Sequence, residues 1–529
     1  MITTFAALID TLIYTRSRDA KVATIAQFLR ATPHPDRGWA LGALTDSLSF
    51  KAVKSSMLRK LASDRFDAEL FKLSRQHVGE TAETVALLWP EPAQPKHSDV
   101  TLAEIIDALN AATPATAPHI VADYLDGLDS KCRYAFLKLA TGGMRIGVSA
   151  RLAKVAFAQA FGVSVDAVEE YWHAVLPPYD TLFAWAAQGD EAPDITATPH
   201  FRPFMLSHPF DGDSLDMGAF AAEWKWDGIR VQVANIGGQA RVYSRGGDDI
   251  SRAFPELTVA LPRNLVLDGE LLVKGVAQGG DAASFNALQQ RLGRTSVSKQ
   301  TLQLFPAFVR IYDILHDGDT DLRALPWSQR RAHLEAIMSE LPGDHFDLSP
   351  VLPAPDFDSL VRLRNMARDA AIEGIMLKRR DSPYLAGRKS GLWYKWKVDP
   401  LTADCVMMYA QRGNGKRASF FSDYTFGCWR EDGQLLPVGK AYSGFSDSEL
   451  KMLDRFVRDN TINQFGPVRE VNKTLVLEIA FDSIHESKRH KSGLAMRFPR
   501  VHRIRTDKPA AHADTLARLR QLIQGSSSQ

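Results

Sequence analysis

The sequence predicts a multidomain α+β protein: a helical unit first, an α+β unit in the middle and a small β-barrel last. Three observations carry this. Apolar residues recur three or four apart through residues 1 to about 190, with few alternating runs. From Phe210 to about 400, short β-like runs alternate with amphipathic segments such as 325–340. Beyond Thr402, strand-like segments surround one helical piece at 446–459. A chain of 529 residues has room for roughly two to four domains, each with its own core.

Within the helical unit, the loop GGMRIGVS at 142–149 is followed by a helix that Ser149 is placed to cap, with Leu152, Val155, Ala156 and Phe161 facing a core. Gly143, Arg145 and Gly147 sit just before that helix's positive end. Backbone N–H groups in such a loop seat phosphate; the same residues also suit a glycine-stopped helix hairpin with one solvated arginine. The Pro-, Asp- and Thr-rich stretch from Gln188 to Phe210 breaks the helical spacing and reads as a linker. The central strands are RVQVANI, LVLDGELLV, FPAFVRIYDIL, GIMLKRR and LWYKWKV, and the last unit has DCVMMYA, YTFGCWR, LVLEIAF and VHRIRT. The terminal QGSSSQ reads as a disordered tail. No internal repeat is found.

Hydrophobic content of 45% and charged content of 24% are those of ordinary globular protein. No apolar run approaches a membrane span. The amino terminus lacks a basic stretch and carries Asp10 inside its apolar run, so no signal peptide is expected and the cytoplasm is. Cys132, Cys405 and Cys428 form no CxxC pair, which argues against a disulfide framework or a zinc site and for buried free thiols. Net charge is only +2, but Arg469–Lys508 holds ten Lys/Arg against five Asp/Glu, and Arg388–Lys397 has four basic residues and no acid. Those stretches attract phosphate.

The chemistry centres on EWKWDGIR, 223–230. Lys225 lies in a Lys-x-Asp-Gly-x-Arg pattern and is a candidate covalent nucleophile; its amine must be uncharged to attack phosphorus, which nearby cations, a metal or desolvation promote. Trp224 and Trp226 supply apolar cover. Asp227 and Gly228 permit a tight turn, and Arg230 is a donor for ribose or phosphate oxygens. Downstream, SRGG offers Arg245, LDGEL offers Asp268 and Glu270, VRIYDIL offers Tyr312 for stacking, EGIMLK offers Glu373 and Lys378, and WYKWK places Lys395 and Lys397 on one strand face. Glu270 and Glu373 are candidate metal carboxylates. GNGK at 413–416 is not a P-loop, because position 410 is Ala.

The order and combination of these motifs resemble the ATP-dependent DNA ligases of the covalent nucleotidyltransferase superfamily, over essentially the whole chain. The resemblance implies that Lys225 becomes adenylylated and that Glu223 recognises adenine. It implies nucleotide contacts from Arg230, Arg245, Glu270, Lys395 and Lys397, with Tyr312 stacked on the base; Lys378 is read from its own place in EGIMLK as a nucleotide-binding phosphate ligand. Glu270 and Glu373 would hold Mg2+, Mn2+ being an alternative. RFPRVHRIRTDK, 497–508, looks like the family's last motif, with Arg497, Arg500, Arg505, Asp507 and Lys508 orienting pyrophosphate. SFNALQQRLGR, 284–294, also has its counterpart. The implied layout is a helical DNA-binding domain over 1–195 (Gly143, Arg145 and Gly147 on DNA), an α+β adenylyltransferase domain of ATP-grasp-like ligase type over 196–400, an OB-fold over 401–523 and a tail at 524–529. The expected substrates are ATP and nicked duplex DNA, handled by a nucleoid-associated monomer that clamps around the duplex. Three other readings are weaker: RNA-joining or capping enzymes share the lysine motif but not the helical region, NAD-dependent ligases need a zinc cluster, and a non-catalytic clamp would carry decayed motifs.

Overall fold

A computed structural model describes residues 1–78, 80–92, 96–97, 99–259, 261–275, 285–294, 296–367, 372–412, 420–487 and 490–524. GNGK, Ser284 of SFNALQQRLGR and all but Gln524 of the expected tail lie outside them. The architecture is mixed α+β. Twelve described α-helices run from Ile2–Tyr14 to Asp180–Gln188 before the first strand, and they share one apolar core that includes Phe5, Leu41, Phe136, Phe157 and Leu182. Local signals start several of them. Ser149 accepts from Leu152 N at the head of Ala150–Phe161, and Thr101 with Glu104 forms a reciprocal capping box. In Ala150–Phe161 the fully buried face is Ala153, Lys154, Ala156, Phe157 and Ala158, whereas Leu152, Val155 and Phe161 are half-buried at its flank. The buried stripe is rotated from the expected one and is centred on Ala153, Ala156 and Phe157.

The expected linker is mostly exposed only in its first half. His200, Phe201, Arg202, Phe204 and Met205 are buried, and Met205–Leu206 pairs in parallel with Gly387–Arg388. The apolar side chains draw the segment into the central core, where Phe201 and Phe204 pack beside Tyr243 and Trp393.

Two central sheets follow. One orders His208–Pro209, Trp393–Lys397, Ile372–Arg379 and Phe220–Trp226; the other runs Gln239–Ser244, Ile229–Ile236, Leu265–Val273, Ala307–Asp317 and Thr320–Asp321, with Phe346–Leu348 added on Ala307–Asp317. In the carboxy-terminal sheet the order is Leu435–Ala441, Phe421–Trp429, Leu401–Arg412, Val468–Val471 and Thr461–Phe465, and Val476–Phe481 joins Leu401–Arg412 to Arg500–Arg505. Among the described residues no strand pairing closes this sheet into the expected barrel. After Ala441 the chain leaves for the helix Asp447–Asn460, and the approaching edge is met by a bond from Val501 N to Ser443 O, 3.0 Å. The three cysteines are buried and free, with Cys405 and Cys428 Sγ atoms 3.4 Å apart on adjoining strands. No helix among the described residues is long and apolar enough to cross a membrane.

The helical region meets the central sheets at a polar seam. Arg323 pairs with Glu170, and the His173 ring lies 4.5 Å from that of Tyr243. A cavity of about 280 Å³ is lined there by Asp46, Lys154, His173, Arg241, Asp248 and Asp249.

Candidate active site

The site lies between the two central sheets. Antiparallel register sets the first wall: Lys225 and Lys397 both pair with Gly374, while Glu223 and Lys395 both pair with Met376. Since side chains alternate along a strand, these four polar residues share one face. The register shifts at Glu373. Gly374 has φ +144°, and a Cβ there would lie 2.3 Å from Trp396 O, so glycine permits the bulge that brings Glu373 between two lysines. Glu373 Oε2 is 2.6 Å from Lys225 Nζ and 3.1 Å from Lys397 Nζ. Burial pushes the Glu373 carboxyl up, but those ammonium groups outweigh it and hold it at about 2.

The second wall is the row Arg230, Glu270 and Arg310, paired across three strands. Gly228 lets the first wall's strand end press against it: a Cβ there would meet Leu271 O at 2.4 Å and Glu270 Cγ at 2.8 Å. Glu270 responds oppositely to Glu373. Burial raises it to about 8, against the pull of Lys225 and Arg230. Arg230 forks onto Asp268 at 3.1 and 2.7 Å and also donates to Met205 O, 2.7 Å, and to the Tyr384 hydroxyl, 3.2 Å. That hydroxyl donates to Asp268, 2.7 Å. Four of the five guanidinium N–H groups are therefore committed to protein acceptors.

At the inner end, buried Glu223 is 3.1 Å from Lys378 Nζ and 3.9 Å from Arg331 Nη1. Lys378 Nζ stands 4.4 Å from the centre of the Tyr312 ring, which sets a flat aromatic face beside this buried ion pair. At the outer end Arg245 is exposed on the turn after Gln239–Ser244. Burial lowers the Lys395 ammonium, and Arg388, Lys225, Lys397 and Arg245 add to that, so these cations converge on one place.

The last motif divides. Arg497 reaches the central sheets and donates to Asp227 Oδ1 at 2.8 Å; burial raises the Asp227 carboxyl, against Arg497 and with Glu373. The other four make ion pairs within the carboxy-terminal region: Arg500 on Asp482, 2.9 Å, Arg505 on Asp507, 2.9 Å, and Asp404, 3.2 Å, and Lys508 on Asp404, 2.7 Å. Arg145, Gly143 and Gly147 belong to a separate place, the helical loop. Gly143 N donates to Asp46, 2.9 Å, and Lys21 Nζ donates to Ile146 O, 2.7 Å, and Gly147 O, 3.0 Å. The loop is held from both sides with Arg145 exposed at φ +50°. Sequence reasoning missed the pairing partner in Asp227 and the supports Tyr384 and Arg331. Asp227 stood inside the motif, but the other two carry no local signal.

A family model described as ATP dependent DNA ligase domain matches residues 205–397, and one described as ATP dependent DNA ligase C terminal region matches 417–508. The chain is 31% identical to a probable DNA ligase of Koribacter versatilis, across 97% of this chain and 95% of that one. It is 30% identical to a DNA ligase of Methanocorpusculum labreanum over 71% of this chain and 68% of the relative. A solved structure described as Pmar-Lig_Pre. shares the fold at a TM-score of 0.57 and 16% identity, covering 95% of this chain and 99% of that one. With both family models in register along it and a full-length relative at this identity, the chain belongs to the ATP-dependent DNA ligases.

Proposed function

We propose that the protein seals nicks between a 5′-phosphate and a 3′-hydroxyl in duplex DNA, using ATP. The observation that carries this is Lys225 facing Glu373, Lys397 and Glu270 between two sheets, with the pocket of Glu223, Lys378 and Tyr312 beyond it. Lys225 Nζ forms a bond to the α-phosphorus of ATP, its proton leaves, and the bond to pyrophosphate breaks. The 5′-phosphate oxygen at the nick then displaces Lys225 from that phosphorus. Last, the 3′-hydroxyl attacks the activated 5′-phosphorus, the strand closes and AMP leaves. Each step is a transfer in which placed charges, rather than a proton-relay device, lower the barrier.

Tyr312 stacks on adenine and Glu223 accepts from it. Lys395 and Lys397 neutralise the α-phosphate, Lys378 anchors Glu223 from the adjacent strand, and Arg245 reaches the nucleotide from the rim. Arg230 uses its remaining N–H group on the ribose or phosphate. Glu270 and Glu373 fit a magnesium or manganese ion, since hard cations take oxygen donors and these carboxyls lie close enough to perturb each other; a bound ion supplies positive charge to the phosphates. Arg497, already on Asp227, carries the carboxy-terminal region over the nucleotide, and Arg500, Arg505, Asp507 and Lys508 complete the pyrophosphate contacts when that region shifts.

The division into a helical DNA-binding domain, an adenylyltransferase domain and an OB-type unit is part of the same proposal. It is supported by apolar cores confined to residues 2–183 and 403–519 at the two ends. A single copy clamping the duplex with all three is the arrangement that brings Arg145 and Lys225 to one DNA. The test is intact mass spectrometry after magnesium and ATP, followed by nicked duplex. An AMP-sized increment on Lys225, discharged with strand joining, is expected; an adduct on another residue, or only with GTP, refutes the reading.

A further inference from the structure

Arg331 lies outside every motif, on the helix Trp327–Ile337, yet its guanidinium is one of two cations facing Glu223. We propose that Arg331 is a positioning residue for base selection: it fixes Glu223 as an acceptor, so that the pocket takes a purine presenting an exocyclic amine and refuses one presenting a carbonyl. This rests on the nucleotide reading of the pocket.

Glu223 is 1% exposed, and a buried carboxylate needs its lone pairs met or its charge balanced. Lys378 Nζ spans both oxygens at 3.2 and 3.1 Å. Arg331 Nη1 approaches Oε1 at 3.9 Å. Arg331 is itself held: Nη1 donates to Ser349 O, 2.8 Å, and Nε donates to Glu335, 2.7 Å. It is 6% exposed, so it has little room to turn away. Ser349 continues the connection, because its Oγ accepts from Trp226 Nε1 at 3.1 Å, next to Lys225.

Each carboxylate oxygen has two lone-pair directions, so an oxygen paired with a cation still accepts from a base amine. An ionised carboxylate donates nothing, and a base carbonyl placed against it leaves two acceptors facing each other in a buried place. A site built on a polar contact discriminates strongly for that reason. Burial pushes Glu223 toward the neutral acid, and Lys378 and then Arg331 oppose it. With Arg331 gone, the opposition weakens, and the carboxyl, held by Lys378 alone, takes a proton more readily. A protonated carboxyl donates, and a guanine carbonyl becomes acceptable.

The experiment compares Lys225 adenylylation with guanylylation, as kcat/KM for ATP over that for GTP, in wild type, Arg331→Met and Arg331→Lys. The ratio is internally controlled, since partial misfolding lowers both terms alike. Arg331→Met is expected to reduce the ratio at least fivefold, and Arg331→Lys, which keeps the charge, to recover most of it. If Arg331→Met does not fold, Glu335→Gln, which loosens the same guanidinium from an exposed partner, should reduce the ratio about twofold. An unchanged ratio in whichever variant folds overturns the proposal. A wild type that does not prefer ATP refutes the underlying nucleotide reading instead, which is a separate outcome.

Discussion

Replacing His173 by phenylalanine should remove a large part of the protein's acid sensitivity. The His173 ring packs against Tyr243, 4.5 Å away, and Phe201, 6.2 Å away, and its Nε2 is buried with no hydrogen-bond partner among the described residues. Burial lowers its pKa to about 3, helped by Lys154, Arg241 and His200; Asp46, Asp248 and Asp249 line the same cavity and do not reverse this. The folded pKa is thus below the unfolded value. Stability is intact above about pH 6.5 and falls as the unfolded chain takes up a proton that the folded one refuses. Between about pH 7.5 and pH 4.5 this amounts to roughly 2.5 kcal/mol at about 1.36 kcal/mol per unit. The figure depends little on the folded value, because the lower pH still lies above it. His200, lowered to about 4 by burial and Arg202, adds a similar loss that the substitution leaves in place. Phenylalanine fills the same aromatic gap and forfeits no hydrogen bond from Nε2. Urea unfolding followed by tryptophan fluorescence at the two pH values should show the variant losing roughly 2.5 kcal/mol less than wild type. Parallel losses in both proteins would refute a neutral, buried His173.

Three further outcomes follow from the geometry. Arg497→Ala removes the bond to Asp227 and should slow Lys225 adenylylation about 10- to 100-fold in single-turnover mass spectrometry, while sealing of a pre-adenylylated nick falls much less; equal losses would contradict its role in the first step. Arg145→Ala should weaken nicked-duplex binding and lower the salt slope by about one phosphate contact with adenylylation unchanged, as measured by anisotropy titration across salt. Lys154→Met should stabilise the fold at neutral pH. Burial lowers that buried ammonium to about 8, a cost of roughly 3 kcal/mol below that pH, from which the lost contact with Trp172 at 4.8 Å returns about 1 kcal/mol. The gain should disappear as pH rises toward about 10.5, where the unfolded lysine also loses its proton.

Most of what positions Lys225 was readable because strands such as Leu265–Val273 and Ala307–Asp317 alternate or run apolar, and because the motif lysines and carboxylates lie within or at the ends of such strands. The pairing of Asp227 with Arg497 spans 270 residues, and no local pattern encodes it. Arg331 looks like any helix arginine until the helix is packed against Glu223. The burial of Phe201 to Met205 was signalled by their apolar character, but proline and aspartate nearby outweighed it as a linker signature. Thr461–Phe465 is exposed along its length, so it had no apolar alternation to announce it. That no pairing among the described residues closes the carboxy-terminal sheet is a matter of which strand edges meet, and strand patterns alone do not fix that.

The network around Arg230 bears on protein engineering. Grafting Lys225–Arg230 onto another pair of strands transfers the visible motif but not Asp268, the Met205 carbonyl or the Tyr384 hydroxyl that hold the arginine. The graft would leave a guanidinium with nothing to donate to in a dry interior, and its host would be expected to reject it by local unfolding. The smallest transplantable unit is therefore set by Arg230's partners, and it reaches from Met205 to Tyr384.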